Sequence, residues 1–128
     1  MNVVDTSGWL AYFAGEPNAK LFAPALQMPK ELVVPTITLY EVFKVVLRES
    51  SENAALQAVA AMQKGTVVDL TPKLAMAASK LSLRHALPMA DAIILATAHA
   101  FEATLWTQDS HFKTIDGVKH FSKARPCA

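Results

Sequence analysis

The sequence predicts a three-layer α/β/α domain with a mostly parallel central sheet. Short apolar, β-prone runs alternate with longer helical segments along the whole chain, which is typical of parallel sheets covered by helices. The 128 residues form one domain of ordinary size, residues 1–128, without internal repeats or a linker. Hydrophobic residues make up 52% of the chain and charged residues 18%, so the chain has enough apolar surface to build a core.

Five elements are predicted in the first part of the chain. In order they are a strand over residues 1–4, a helix that ends at residue 13, a helical segment over residues 18–27, a strand over residues 32–34 and a helix over residues 36–50. Thr6 or Ser7 can cap the first helix, and Thr36 or Thr38 the third, because a hydroxyl oxygen can accept from a free backbone N–H group. Pro24 lies inside the second segment and can divide it in two, since proline lacks the N–H of a helical hydrogen bond.

Six further elements complete the predicted fold. In order they are a helix over residues 53–64, a strand over residues 66–70, a helix over residues 72–85, a helix that begins at Pro88, a strand over residues 104–107 and a strand over residues 118–121. Gly65 is expected to end the first of these helices, and Thr71 and Pro72 to open the next. Between residues 92 and 98 only Thr97 is polar, so the helix after Pro88 is expected to be covered on several sides.

Four acids are predicted to meet at one edge of this sheet. Asp5 follows the first strand, Glu41 lies early in the helix after the second, Asp91 lies in the first turn of the helix before the fourth, and Asp109 follows the fourth. In a parallel sheet these positions fall at the carboxyl edge, where open α/β sheets bind ligands. Carboxylates that converge repel one another unless a cation neutralises them. A divalent ion with oxygen ligands, such as Mg²⁺, fits such a site and can activate water against a phosphodiester.

Each acid also has a purely structural interpretation. Asp5 can be a turn or helix-cap residue and Asp109 a turn residue, and Asp91 can favour the positive end of its helix. Glu41 can belong to a solvated stripe, because a lysine and an arginine lie one and two turns further along the same helix face. The shared position at one edge favours the site, since chance would distribute the four acids over both edges.

Charge and composition exclude several classes of function. The formal net charge is +1 and the pI is near 7.9, so a nucleic-acid site would have to be local or assisted by a metal. The single cysteine, Cys127, is expected to stay reduced, which suggests a cytoplasmic protein. We expect neither a signal peptide nor a membrane span. The four histidines lack the spacing of zinc ligands; they are His85, His99, His111 and His120.

Four motifs give the chain a family resemblance. They are VVDTSGWL at the start, VPTITLYEV around Glu41, LPMADAIILATA around Asp91 and LWTQDSHF around Asp109, and together they run from Val3 to Phe112. With these motifs the chain resembles PIN-domain ribonucleases, and most of all the VapC-type toxins of toxin–antitoxin pairs. The resemblance implies a parallel sheet between helices, an acidic Mg²⁺ or Mn²⁺ site and endonucleolytic cleavage of RNA.

The resemblance also assigns site residues. By motif match, the acidic site is Asp5, Glu41, Asp91 and Asp109, with supporting hydroxyl groups on Ser7 and Thr107. Asp5 and Asp91 are expected to be the principal metal ligands. Glu41 is expected to complete the site or to accept a proton from the attacking water, and Asp109 to tune the site or hold a second metal. Many members carry a further acid where this chain has His111, so the side of the site near Asp109 departs from the family pattern.

Partners follow from the same resemblance and from the apolar content. We expect an RNA substrate, a small antitoxin whose tail lies in a groove between helices, and a homodimer. Candidate contact residues in the first helices are Trp9, Tyr12, Phe13, Phe22, Tyr40 and Phe43. Lys44 and Arg48 could bind RNA phosphates or an acidic segment of a partner, or could simply form an exposed helix face.

Two other functions are compatible with parts of the sequence. A catalytically silent PIN-like module would bind RNA or protein, although such modules usually lack one of the acids. An aspartate-based phosphatase, similar to the haloacid dehalogenases, would use Asp5 as its nucleophile. That class requires a second acid two residues later, where this chain has Ser7.

Overall fold

A computed structural model describes residues 1–123 of the chain. Cys127 lies outside the described residues, so the expectation for its thiol stays a prediction. The strands are β1 (Asn2–Val4), β2 (Val33–Pro35), β3 (Thr66–Val68), β4 (Thr104–Thr107) and β5 (Val118–His120). The α-helices are α1 (Thr6–Ala14), α2 (Ala19–Leu26), α3 (Thr36–Glu49), α4 (Glu52–Met62), α5 (Pro72–His85) and α6 (Met89–Ala100).

Every strand pairing in the described chain is parallel. Strand β4 lies between β1 and β5, and β2 pairs with β3. A single parallel bridge between Asn2 and Leu32 connects the two groups, which gives the order β3-β2-β1-β4-β5. The prediction of a parallel central sheet is therefore confirmed.

Helices cover both faces of the sheet, as predicted. Successive residues of a strand point to opposite faces. Val3 and Val33 accordingly pack into the core that α5 and α6 build, and Val4 and Val34 into the core beneath α1 to α4. Helix α6 is buried along residues 92–98, which confirms the expectation that it is covered on several sides.

The caps of two helices differ from the prediction. The residue that caps α1 is Asp5, for which the sequence also allows a cap role, and not Thr6 or Ser7: the side chain of Asp5 accepts from the backbone N–H of Gly8. Helix α3 begins after Pro35 without a side-chain cap. The hydroxyl group of Thr38 instead donates to the carbonyl oxygen of Pro35 at 2.7 Å. At α5 the predicted cap is confirmed, since Thr71 accepts from the N–H of Leu74.

Two other local features correct the sequence interpretation. Pro24 does not divide its segment, because α2 continues through it as one helix. Gly65 does not cap α4, which ends at Met62 with Gln63 as its cap residue. A Cβ atom on Gly65 would lie 2.9 Å from the carbonyl oxygen of Leu32, so this glycine permits the close approach of the chain to β2.

Candidate metal centre

Asp5 lies where β1 ends and is held by donors from two elements. Its backbone N–H donates to the carbonyl oxygen of Trp106 at 3.1 Å, which places it beside the end of β4. The side-chain atom Oδ1 accepts from the hydroxyl group of Ser7 at 2.7 Å and from the N–H of Gly8 at 3.1 Å. Atom Oδ2 accepts from the hydroxyl group of Thr107 at 2.8 Å. Both hydroxyl groups that were expected to support the acidic site thus contact Asp5, one of its four acids.

Burial dominates the electrostatics of this carboxyl group. Asp5 is only 2% exposed, and burial raises its pKa from 3.8 to about 7. Hydrogen bonds from Ser7 and Thr107 favour the charged form and oppose this rise in the pKa, whereas the charge of Asp109 adds to it. A buried carboxyl group that titrates near neutrality suits a site at which a cation is expected to bind.

A second cluster lies at the same edge and contains Asp91, Asp109 and His111. Atom Nδ1 of His111 lies 2.9 Å from Oδ2 of Asp91 and 3.2 Å from Oδ1 of Asp109. One donor atom from each of the three side chains lies within 4.8 Å of the other two. Bonds of about 2.0–2.2 Å to a common ion separate two ligand atoms by at most roughly 4.4 Å, so small movements of these side chains would let them share one divalent cation.

Three elements bring this cluster together. Asp91 lies in the first turn of α6. Asp109 caps a single 3-10 turn, Ser110–Phe112, that follows β4, and its Oδ1 accepts from the N–H of His111 at 2.9 Å. The hydroxyl oxygen of Thr107 also accepts from the N–H of Asp109 at 2.9 Å. Thr107 therefore connects the buried Asp5 to the more open cluster.

Mutual charge effects link the members of the cluster. Burial raises the pKa of Asp91, and the charges of Asp109 and Glu41 raise it further, while the hydrogen bond with His111 lowers it. The hydrogen bond to Asp91 raises the pKa of His111 in turn, and the charge of Asp109 has the same effect. A cation at this position would neutralise the charges of the two carboxylates.

Glu41 contacts the site from α3. Its atom Oε1 accepts from the hydroxyl group of Thr6 at 2.5 Å, and Thr6 directly follows Asp5 in the chain. Its charge contributes to the pKa of Asp91, but Glu41 is not one of the three residues whose donor atoms converge. Glu41 therefore lies at the margin of the cluster and keeps its Oε2 atom for another contact.

The residues whose donor atoms converge include only one of the two that the sequence favours as principal metal ligands. Asp5 and Asp91 were expected to be the principal ligands, yet the donor atoms that converge belong to Asp91, Asp109 and His111. The sequence revealed that His111 departs from the family pattern, but not that its ring turns towards the acids.

Two further supporting residues were missed. Thr6 was interpreted only as a possible cap, although its hydroxyl group contacts Glu41. The sequence gives no sign of a role for Gln108, whose backbone N–H donates to the hydroxyl oxygen of Ser7 at 3.3 Å. Neither residue type is distinctive enough to reveal such a role in the sequence.

The fold and the site together define a class of protein. It is the class of parallel α/β/α domains that carry an acidic cluster at the carboxyl edge of the sheet. Within this class the chain belongs to the PIN-domain family, whose sequence profile, described as PIN domain, matches residues 3–118. A comparison with curated protein sequences gives no match.

Solved structures show the same fold. A toxin–antitoxin complex from Klebsiella pneumoniae is similar with a TM-score of 0.78 and 25% identity, over 93% of this chain and 96% of that chain. VapC20 from Mycobacterium tuberculosis, described as a sarcin-ricin loop cleaving toxin, has a TM-score of 0.76 and 24% identity over 98% of this chain and 100% of its own. VapBC2 from Rickettsia felis, bound to a promoter DNA fragment, has a TM-score of 0.73 and 16% identity over 93% and 97% of the two chains.

Proposed function

We propose that this protein is a metal-dependent endoribonuclease that acts in the cytoplasm as the toxin of a toxin–antitoxin pair. One observation carries the proposal: Asp91, Asp109 and His111 converge within 4.8 Å, next to a buried Asp5, at the carboxyl edge of a PIN-domain sheet. The toxin and the toxin–antitoxin complexes to which the fold is similar support the biological role.

The proposed residue roles follow from position and exposure. The side chains of Asp91 and Asp109 are 16% and 28% exposed, so an ion that they hold would be accessible to an RNA phosphate. Asp5 is buried with its donors and would hold the inner side of the site. A bound Mg²⁺ or Mn²⁺ ion would supply positive charge that stabilises negative charge developing on the phosphate oxygens and lowers the pKa of a water molecule. Glu41 would use Oε2 to accept a proton from the attacking water.

Two cations of α3 are candidates for binding the RNA backbone. Lys44 lies over the ring of Tyr40, with its Nζ atom 5.7 Å from the ring centroid, and Arg48 contacts Glu49 at 3.3 Å on the surface. Both follow Glu41 on α3 at intervals of about one helical turn. Exposed pairs of this kind are weak, so both side chains can turn to an RNA phosphate.

The proposal is tested by cleavage of RNA with purified protein. Asp5→Asn and Asp91→Asn should each lower the rate at least about a hundredfold, because one electrostatic group commonly contributes about 3 kcal/mol to the transition state. The matched control is Asp116→Asn, an exposed acid in the loop before β5, which should cleave like wild type. Wild-type activity in either site variant would remove that acid from the site.

Cleavage also decides between the proposal and its alternatives. A silent PIN-like module would bind RNA or protein and leave RNA intact in Mg²⁺ and Mn²⁺. The phosphatase is disfavoured, because both carboxyl oxygens of Asp5 accept hydrogen bonds and the side chain is almost inaccessible. A nucleophilic carboxylate needs a free oxygen that faces the substrate.

We further propose that an antitoxin segment occupies a groove between α1, α3 and α4. The groove has a volume of about 860 Å³, and its apolar lining includes Leu10, Phe13 and Val46. Arg48, Glu16 and Glu49 lie on the same lining, so a segment with an apolar face and charged flanks would fit. The antitoxin is expected to be encoded by the gene beside this one. If its product binds the protein, and Phe13→Lys abolishes that binding, the assignment is supported.

A further inference from the structure

The packing of the surrounding residues fixes the position of His111. Its turn is fixed on one side by Phe112, which is 0% exposed in the core, and on the other by Asp109, which accepts from the N–H of His111. The side chain is 53% exposed, yet its Nδ1 atom is directed towards Oδ2 of Asp91 and Oδ1 of Asp109. An ion that enters from solvent would therefore meet two carboxylate oxygens and one imidazole nitrogen.

We propose that His111 is a nitrogen ligand of the metal centre, and that it makes the centre bind first-row transition ions in preference to Mg²⁺. Within that series Mn²⁺ is expected to bind most weakly. This inference rests on the proposed function, since it assigns the ion of the same site. It goes further because it replaces an all-oxygen site by a mixed site of two carboxylates and one imidazole.

Coordination chemistry gives the direction of the selectivity. Mg²⁺ is a hard ion that prefers oxygen ligands and gives up its water reluctantly. Imidazole nitrogen binds first-row transition ions better, and the affinity of a nitrogen and oxygen site rises from Mn²⁺ to Co²⁺ and Ni²⁺. Exchange of one oxygen ligand for Nδ1 should therefore strengthen binding of Mn²⁺, and of Ni²⁺ still more, relative to Mg²⁺.

Another interpretation of the same contacts predicts a different result. The imidazolium of His111 could only compensate the charges of Asp91 and Asp109, and an incoming ion would displace it. In that case Mn²⁺ would bind to oxygen atoms alone. The two interpretations differ in whether a nitrogen nucleus is bonded to the bound ion.

The decisive experiment is pulsed electron paramagnetic resonance on the full-length protein with one equivalent of Mn²⁺. We expect a directly coordinated nitrogen in wild type, and its loss in His111→Ala and in His111→Asp. The matched control is His99→Ala, since His99 is an exposed histidine at the other end of α6. That variant should keep the nitrogen signal.

Calorimetric titrations measure the selectivity. His111→Asp should weaken Ni²⁺ at least about tenfold, because Ni²⁺ prefers imidazole nitrogen to carboxylate oxygen and loss of even a residue that only supports a ligand commonly weakens a metal site that much. Binding of Mg²⁺ should stay equal or become tighter, since the new carboxylate is an oxygen ligand. Thermal melts of each variant verify that it is folded.

The outcomes separate this inference from the proposed function. If Mn²⁺ binds, and Asp91→Asn weakens it, but wild type shows no coordinated nitrogen, the role of His111 is refuted and the metal-dependent nuclease stands. If neither Mn²⁺ nor Mg²⁺ binds at millimolar concentration, both are refuted. An unchanged preference between Mg²⁺ and Ni²⁺ in His111→Asp would also overturn the selectivity.

Discussion

At the scale of single residues, Asp5 combines a structural and an electrostatic role. It caps α1, and both of its carboxyl oxygens accept hydrogen bonds from the first turn of the helix or from Thr107. Burial nevertheless raises its pKa to about 7, because the charged form loses more hydration than these donors return. Because the pKa of Asp5 differs between the folded and the unfolded state, the free energy of unfolding should depend on pH.

We predict that the metal-free protein becomes less stable as the pH rises from about 4 to about 7. Between these values the folded state keeps the proton of Asp5, whose pKa is about 7, while the unfolded state has lost it at the ordinary value of 3.8. The free energy of unfolding should fall by an amount of the order of 4 kcal/mol and then level off. The raised pKa of Asp91 acts in the same direction in this range, whereas the raised pKa of His111 lowers stability only at pH values above about 6.5.

Urea denaturation in EDTA at several pH values measures this effect. Asp5→Asn should flatten most of the slope, because its amide does not titrate. The slope that remains below pH 6.5 would come from Asp91. A wild-type stability that stays constant or rises between pH 4 and 7 would contradict the prediction.

A second residue-scale prediction concerns Asp91. In EDTA at low salt, at a pH above the raised pKa of His111, Asp91→Asn should be as stable as wild type or more stable. The substitution removes a carboxylate that faces the charges of Asp109 and Glu41. In millimolar Mg²⁺ the order should reverse, because an ion that binds only the folded state stabilises wild type by mass action.

Thermal melts of both proteins in both buffers provide the measurement. Loss of only a helix-dipole interaction would lower the melting temperature of the variant equally in EDTA and in Mg²⁺, by the equivalent of about 0.3–1 kcal/mol. That result would make Asp91 a structural residue and would remove it from the metal centre.

At the scale of elements, the site depends on how closely α1 approaches the sheet. A Cβ atom on Gly8 would lie 2.6 Å from Cγ1 of Val4 and 2.8 Å from the ring of Phe22. This glycine allows the first turn of α1 to pack against β1 and α2. The same turn supplies the N–H and the hydroxyl group that hold Asp5.

We predict that Gly8→Ala destabilises the protein by about 1–3 kcal/mol, as overpacking of a dense core commonly does. Because α1 must move outward, the variant should also lose RNA cleavage beyond what its loss of stability explains. Gly15→Ala is the comparison, since Gly15 has no neighbour within 4 Å of an added Cβ atom but has a φ of 65°. It should lower stability through backbone strain and leave the cleavage rate of the folded protein intact.

At the scale of the whole molecule, the structure changes which surfaces are available to partners. Trp9 and Phe22, which the sequence suggested as contact residues, are 3% and 0% exposed and belong to the core of the chain itself. Tyr40 is 60% exposed and stays available. On α5, Met76 and Leu83 are 63% and 89% exposed and lie two helical turns apart on one side.

No helix within residues 1–123 has the length and apolar character that a membrane span requires.

We predict that the protein is a homodimer at tens of micromolar, because these apolar side chains would gain from burial against a second copy. Light scattering coupled to size-exclusion chromatography measures the mass. Leu83→Glu and Tyr40→Glu test the two faces, and the variant that yields monomer identifies the interface. A wild-type protein that is monomeric under these conditions would refute the dimer.

Much of the fold could be predicted from local sequence. The ends of β1 and β4 were predicted within one residue, because each strand is a short apolar run followed by polar or turn-forming residues. Caps were harder to predict. Asp5, Thr6 and Ser7 can all accept from a backbone N–H, and the choice among them depends on where Thr107 of a distant strand donates its own hydroxyl group.

The sequence by itself determined the parallel α/β order and the edge at which the acids lie, because strand ends and connection lengths follow from local patterns. Only the tertiary structure decided which donor atoms meet. The ring of His111 turns towards Asp91 because burial of Phe112 orients a turn that begins 19 residues after Asp91 in the chain. The burial of Asp5 likewise requires β4 and α1 on either side of it. Such contacts depend on the packing of distant elements, and no pattern of neighbouring residues encodes that packing.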